Sequence, residues 1–364
     1  MKFENYGDID IGGSGFFGKG EAYMKSFGGV DAAKFLFSFV VIGIHTRPFS
    51  SLRLLGIPLT AFVFPVAVPF FFFCAGYFLM RGAGGKEAIF TKKRMRYLLK
   101  IALLYFAAEL LYLPFVSSIW FDGTPINAAQ IFWYLKNQML LSSFEHLWYL
   151  YALFFGSILH MALVRVLGMR GAFWIAAAVY AVGVTIHTVL PTLPDSVRYS
   201  AWIGAQSVLF SGFPLISFGG ALAAARRAVP PRRAAVAFLL SCALYFGECI
   251  LFLRVYPRWL LLLFFSMPLL IASLFLLLSA IPTEKRALWF VLRESSTINY
   301  IIHFWFILAP ERLFGLDMPR SGFRLFVFTC VCSCLISIPA AALIYMRKRR
   351  RTMEVQNRNL NACD

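Results

Sequence analysis

Charged residues are scarce in this sequence, and the acidic ones are the scarcest. Only 14% of the 364 residues are charged, with 17 Asp or Glu against 35 Lys or Arg. A water-soluble domain carries many more charges, so the composition excludes a soluble globular protein. Because 60% of the residues are hydrophobic and apolar runs of membrane-spanning length recur, the sequence predicts an all-α, polytopic integral membrane protein.

Several other signals are also missing. The seven cysteines show no disulfide framework, and three of them are spaced two apart, so on a helix they point in different directions and predict no metal site: Cys330, Cys332 and Cys334. No short apolar stretch precedes a small-residue cleavage site near the start, so we expect no cleavable signal peptide. No repeat of two similar halves is visible, which weakly disfavours a transporter.

Ten apolar segments of spanning length are present. We predict spans at about residues 29–46, 57–79, 97–119, 146–166, 172–190, 203–225, 234–253, 259–280, 296–310 and 323–346. Lys and Arg crowd the exits of the even-numbered spans, and cytoplasmic loops are the ones enriched in these residues. The pattern predicts about ten transmembrane helices with both termini in the cytoplasm. We expect a flexible tail over 1–28, a transmembrane domain over 29–346 and a basic tail over 347–364.

The formal net charge of +18 comes largely from these loops. In a membrane protein, positively charged loops indicate which side of the membrane is cytoplasmic. They also attract anionic lipid headgroups, so we expect anionic membrane lipid as a partner. No basic segment lies in a soluble fold, so we expect no nucleic-acid partner. The sequence therefore predicts a multi-pass protein of the cell (inner) membrane, and no pattern in it indicates an oligomeric state.

The first span carries ionisable residues in an apolar setting. Lys34 and His45 are eleven positions apart, which places them within roughly 20° on one helix face and about 16 Å apart along the axis. Ionisable side chains in hydrocarbon usually face the bundle interior or a wet cavity. A cation can hold an anionic group, and an imidazole can move a proton near neutral pH. Alternatively, Asp31 and Lys34 form an interfacial ion pair and His45 marks the helix end.

Other ionisable groups in the spans are predicted to collect at the outer half of the membrane. The predicted topology places Glu109, His146 and Glu248 there, whereas basic groups lie at the inner face. This distribution is typical of a site that is open to both sides of the membrane. The basic groups would bind a phosphorylated donor at the inner face, and the imidazole and carboxylate groups would contact a hydroxyl acceptor at the outer face. Structural alternatives remain open, since His146 could belong to a headgroup-level belt, His303 could be a packing histidine, and Glu248 could pair with Arg254.

Several stretches together resemble the membrane acyltransferase family called acyltransferase-3, over about residues 29–346. The similar stretches are Lys34 with His45 ten intervening positions later, Val68-Pro-Phe-Phe-Phe-Phe-Cys-Ala-Gly76, Lys93 with Arg96, His146-Leu-Trp148-Tyr-Leu, and Arg293-Glu-Ser-Ser-Thr297 followed by Tyr300 and His303. Two positions depart from the family pattern, because Lys34 stands where Arg is commoner and Ala75 where Ser is usual. The family includes polysaccharide and peptidoglycan O-acetyltransferases and the membrane half of some vancomycin-resistance serine racemases.

The resemblance implies an O-acyltransferase that moves an acyl group from cytoplasmic acyl-CoA to a hydroxyl of a cell-envelope glycan or lipid-linked sugar. Acetyl is the acyl group that we expect. His45 is then the expected general base or acyl relay, His146 a second catalytic residue, and Glu248 or Glu109 the carboxylate that orients His45. The expected donor-binding residues are all basic: Lys34, Lys93, Arg94 and Arg96. The alternative from a different class is a transporter or exporter with a proton- or substrate-coupled site built from Lys34, His45 and Glu248.

Overall fold

The computed structural model describes residues 27–49, 62–83, 89–115, 127–133, 146–189, 208–225, 229–255, 263–284, 287–312 and 322–361, and these ranges contain helices but no β-strand. The helices are α1 Gly28–Thr46, α2 Phe64–Met80, α3 Lys92–Leu111, α4 Ala128–Trp133, α5 Trp148–Val189, α6 Phe213–Ala225, α7 Pro231–Val255, α8 Met267–Ala280, α9 Ala287–Arg312 and α10 Phe323–Asn361. A π-helical turn, Val208–Gly212, precedes α6. The prediction of an all-α protein is confirmed for the described part of the chain.

Five helical stretches are long and apolar enough to cross a membrane: Gly28–Thr46, Trp148–Val189, Val208–Ala225, Pro231–Val255 and Phe323–Arg351. Phe64–Met80 and Met267–Ala280 are shorter apolar helices. Each of the ten predicted spans overlaps a helix of the structure. The number of spans that cross the membrane and the cytoplasmic placement of both termini stay predictions.

The outward face of α7 shows why this bundle requires an apolar solvent. Leu239, Leu240 and Leu251 lie in its middle and second half and are each more than 60% exposed. Water-soluble monomers rarely display such large contiguous apolar patches, because hydrating them is unfavourable. The hydrocarbon of a bilayer solvates the same side chains without that cost, so the exposed leucines support the membrane assignment.

Two of the predicted spans meet without a connecting loop. The fourth and fifth predicted spans correspond to the two helical halves of α5, which meet at Gly168, where φ is 77°. Glycine adopts this left-handed conformation without steric cost, so the chain turns between two helical halves without a separate loop. At the C-terminal end, α10 continues to Asn361, so residues 347–361 of the predicted basic tail 347–364 are helical. Most of the predicted tail 1–28 lies outside the described residues.

Close backbone contact joins α2 to α6. A Cβ atom added at Gly76 would overlap the carbonyl oxygen of Ile216, and one added at Gly219 would overlap the carbonyl oxygen of Phe73. Inside a membrane, helices associate chiefly by van der Waals packing, and small residues let their backbones approach. The two glycines therefore let α2 and α6 pack directly against each other.

Helix α1 packs against α2, α8, α9 and α10. Two side-chain hydrogen bonds set its register against α9. The Ser296 hydroxyl donates to the carbonyl oxygen of Lys34 at 2.9 Å, and the Asn299 amide donates to the Ser38 hydroxyl at 3.3 Å. Because both helices run in the same direction past these bonds, residues further along α1 and α9 meet at a defined level.

Candidate functional site

Three histidines from three different parts of the chain converge in the structure. His45 lies in the last turn of α1, His146 lies two residues before α5, and His303 lies within α9. The ring centre of His303 is 5.5 Å from that of His45 and 5.3 Å from that of His146, and the His45 and His146 rings are 6.5 Å apart. We call these residues the histidine cluster. His146 and His303 are buried, whereas His45 is half-buried, so His45 is the most accessible of the three.

An aromatic frame fixes the cluster in place. The ring of Phe304 stacks on His146 with ring centres 4.6 Å apart, and the ring of Tyr112 meets His146 edge-on at 4.7 Å. The Tyr112 hydroxyl donates to the carbonyl oxygen of Ile301 at 2.6 Å, and the Tyr300 hydroxyl donates to the carbonyl oxygen of His146. These contacts tie the end of α3, the start of α5 and the middle of α9 together around the imidazoles.

Hydrogen bonds to the backbone define the tautomer of His303. Its Nδ1 lies 2.9 Å from the carbonyl oxygen of Tyr300 and 3.1 Å from that of Asn299. A carbonyl oxygen only accepts, so Nδ1 carries the hydrogen and Nε2 presents a lone pair. Within the described protein, Nε2 of His303 and both ring nitrogens of His146 have no hydrogen-bond partner. Buried polar atoms normally have partners, so these nitrogens are ready to exchange a hydrogen bond or a proton with one another or with a ligand.

The opposite end of α1 carries charged groups. The ammonium of Lys34 lies 4.7 Å from the ring centre of Phe78 in α2, and Asp31 is buried one turn earlier. At the start of α9, the guanidinium of Arg293 forms a 3.4 Å ion pair with Glu294. One continuous helix therefore carries a cation near its first turns and the half-buried imidazole near its last, about 16 Å apart by the helical rise.

Glu248 lies in the second half of α7, and its described contacts are with the start of α8. Its two carboxylate oxygens accept from the backbone N–H groups of Phe265 and Ser266 at 2.7 and 2.9 Å, and from the Ser266 hydroxyl at 2.5 Å. Ser266 directly precedes α8, so Glu248 satisfies donors at the N-terminus of that helix, where a negative charge is favourable. The described contacts of Glu248 serve α8, and none of them joins it to His45.

The other predicted carboxylate, Glu109, is fully buried in α3. It lies within electrostatic range of the Tyr300 hydroxyl, which itself bonds the backbone of His146. Glu109 is therefore a neighbour of the aromatic frame. The prediction that a carboxylate orients His45 directly stays a prediction.

The predicted donor-binding cations divide into two groups. Arg94 is buried in the first turn of α3, where its Nε donates to the carbonyl oxygen of Leu79 at 2.9 Å and its Nη1 donates to that of Ile89 at 3.4 Å. These bonds satisfy the carbonyl oxygen of Leu79 at the end of α2 and that of Ile89 in the segment before α3, which is a structural role. Lys93 and Arg96 are exposed on the same turn. Their predicted role with phosphates stays a prediction, and the geometry makes them the accessible pair.

The sequence did not predict that His303 lies beside His45 and His146 or that the aromatic frame surrounds them. His303 was visible as a polar residue in an apolar span, but its spacing from His45 and His146 carries no information on distance. Among the residues that the structure describes, no set of three or more His, Cys, Asp or Glu side chains is arranged to hold a metal ion.

Comparisons with known proteins give one family and several distant relatives. A family profile described as an acyltransferase domain matches residues 27–345. Part of the chain is 35% identical over 157 residues to an amino-acid racemase of Enterococcus faecalis and 32% identical over 160 residues to a serine/alanine racemase of Enterococcus gallinarum. Each alignment covers 43% of this chain but only 22% of the relative, so the aligned part spans about a fifth of the length of those proteins. No solved structure matches the chain.

Proposed function

The chain belongs to the acyltransferase-3 family of acyltransferase domains, and on this basis we propose that it is an integral membrane O-acyltransferase. The proposed reaction moves an acyl group, acetyl in the first instance, from acyl-CoA to a hydroxyl of a cell-envelope glycan or lipid-linked sugar. The single observation that carries the proposal is the position of His45, which is half-buried beside two buried imidazoles within the helical bundle.

His45 acts as the general base in this proposal. It takes the proton of the acceptor hydroxyl as the oxygen attacks the thioester carbonyl, so that the new C–O bond forms while the C–S bond breaks. The same proton then passes from the His45 imidazolium to the leaving thiolate, which leaves as the free thiol of CoA. Proton transfer by a positioned imidazole typically accelerates such a step by about 10²–10⁴-fold.

The donor would bind toward the Lys34 end of α1. Thiol esters of CoA carry several phosphates, and exposed cations attract them by charge-assisted hydrogen bonds. Lys93 and Arg96 are exposed in the first turn of α3, and Lys34 lies part-way along α1. We propose that these three residues receive the phosphorylated end, while the acyl end reaches along α1 toward His45. With the predicted topology, the donor enters from the cytoplasm and the acceptor is met near the outer face.

A labelling experiment tests this function. Washed membranes from cells that produce the full chain are incubated with acetyl-CoA labelled in the acetyl carbon, and base-labile label in the glycan fraction is counted. We expect ester formation with the parent protein and its loss in His45→Ala. His160→Asn is the matched control, because His160 is also a buried histidine but bonds Ser217 through Nδ1 at 2.9 Å, a bond that Asn can retain.

Three outcomes would overturn either the proposed function or the role that it gives to His45. Ester formation that persists in His45→Ala removes the base from the mechanism. An equal loss in His160→Asn shows that any buried histidine is needed for folding, not for chemistry. Glycan or lipid translocation that depends on His45 without any ester product supports the transporter alternative.

A further inference from the structure

We propose that His303 is the positioning residue for His45, and that its Nε2 accepts a hydrogen bond from a ring N–H of His45. The inference rests on the proposed function, because it names the group that holds the proposed base. It assigns to an imidazole of α9 the orienting role that sequence reasoning left to a carboxylate.

The surroundings of the His303 ring leave one of its nitrogens in need of a hydrogen-bond donor. Its Nδ1 hydrogen is engaged by two backbone carbonyl groups of α9, those of Tyr300 and Asn299. The ring is fully buried, and its Nε2 lone pair has no partner in the described protein. A buried acceptor with a fixed tautomer requires a donor, and leaving it without one is costly in a membrane interior. The ring therefore presents a single acceptor atom to its surroundings.

The separation of the His45 and His303 rings is close to that of a hydrogen-bonded imidazole pair. When two imidazole rings share an N–H···N hydrogen bond of about 3 Å, their ring centres lie roughly 5 Å apart. The observed separation between the His45 and His303 rings is 5.5 Å, so the pair meets this requirement with a small adjustment. His146 lies 5.3 Å from the same ring and is the competing donor, which the experiment below separates from His45.

The two helices that carry these rings are tied together. The Ser296 and Asn299 side chains bond α1 at Lys34 and Ser38, one to two turns before His303. These bonds hold α1 and α9 in a single register, in which the ring of His45 lies 5.5 Å from that of His303. A base held in this way needs little reorganisation when it reacts, which is what a catalytic base requires.

The consequence for the reaction follows from the tautomer. If one ring nitrogen of His45 donates to His303, the other is left as the lone pair that takes the acceptor's proton. When His45 becomes an imidazolium, its hydrogen bond to the neutral His303 becomes charge-assisted and strengthens. The arrangement has the same logic as other nucleophile and base pairs in which a third group orients the base.

The test compares His303→Leu with His303→Gln in the full-length, reconstituted protein. Leu removes the acceptor, whereas the Gln side-chain oxygen can reach the region of Nε2 and restore it. We expect His303→Leu to lower kcat by roughly 10- to 100-fold, as outer groups that orient catalytic residues typically do. KM for acetyl-CoA should change little, and His303→Gln should recover most of the lost rate. His160→Asn again serves as the control.

Nitrogen-15 NMR of labelled histidine gives a readout that a merely structural role would not move. The chain has five histidines, so the spectrum is simple enough to assign by single substitutions. We expect His45 to show one neutral tautomer and a coupling to His303 across the hydrogen bond, and His303→Leu to show a tautomer mixture at His45.

The proposal is overturned if kcat is unchanged in His303→Leu, or if the coupling joins His303 to His146 in place of His45. If His303→Leu does not fold, the spectrum of the parent protein alone decides the question. An absence of transferase activity in the parent protein would overturn the proposed function, whereas the coupling would still report whether the hydrogen bond exists.

Discussion

Replacement of Glu248 by Ala separates a structural role from a catalytic one. The change removes three acceptor contacts at the N-terminus of α8, those with the Phe265 N–H, the Ser266 N–H and the Ser266 hydroxyl. Hydrogen bonds to a charged group contribute about 1.5–3 kcal/mol each when water is excluded. Glu248 is only partly buried, so water replaces part of what is lost, and the range for a helix cap, about 0.5–2 kcal/mol, is the better guide.

We therefore expect Glu248→Ala to lower the free energy of unfolding by about 2 kcal/mol, the upper end of the cap range. For a large chain this corresponds to a fall in Tm of roughly 4 °C. Glu248→Gln retains one acceptor oxygen and should lie between the parent and Glu248→Ala. Thermal unfolding followed by intrinsic fluorescence in detergent measures both values, with Glu354→Ala, an exposed glutamate of α10, as the matched control.

The same samples report the catalytic role. If Glu248 caps α8, kcat per folded molecule should stay close to that of the parent protein. A fall in kcat of about 10²-fold or more, with Tm unchanged, would show that Glu248 takes part in proton transfer. That result would refute the capping argument and restore the role that the sequence predicts.

Three further predictions concern the packing and the donor end. Charge reversal of Lys93 and Arg96 together should raise KM for acyl-CoA in a salt-dependent way while leaving Tm unchanged, because both are exposed; an unchanged KM would limit the pair to a topological role. Arg94→Leu should instead lower Tm, because it leaves the carbonyl oxygens of Leu79 and Ile89 without the donors that Arg94 supplies, and a KM effect with unchanged Tm would contradict this. Gly76→Val should destabilise the α2–α6 contact by about 3 kcal/mol and reduce the yield of folded protein. Gly247→Ala should leave the yield of folded protein unchanged, because a Cβ atom at Gly247 meets no atom within 4 Å. Equal yields of Gly76→Val and Gly247→Ala would refute the close-packing argument.

The sequence predicts the helices well because length and apolar composition decide whether a segment is a membrane helix. Helix α1 ends at Thr46, the residue at which the first span was expected to end, and it carries Lys34 and His45 as predicted. The sequence does not predict the kink at Gly168, because a glycine between two apolar segments is equally compatible with a connecting loop. Hydropathy does not distinguish a loop from a single left-handed residue.

The site was predicted only as far as local spacing allows. His45 was identified from its position in an apolar helix, and the structure places it beside His146, which was predicted separately. His303, Glu248 and Arg94 were assigned incompletely, because their partners lie on other helices. The contact of Glu248 with Ser266 and that of Arg94 with Leu79 depend on interhelical register, which no pattern within one helix encodes.

The single-turnover rate of thioester cleavage tests the central claim most directly. Reconstituted protein is saturated with acetyl-CoA in the presence of washed acceptor membranes, and release of the CoA thiol is followed in the parent and in His45→Ala, with acetyl-CoA binding measured separately by calorimetry. The account predicts that acetyl-CoA binding is retained while the rate falls by about 10²–10⁴-fold, the range for loss of a general base. An unchanged rate in His45→Ala, with binding intact, would contradict the account.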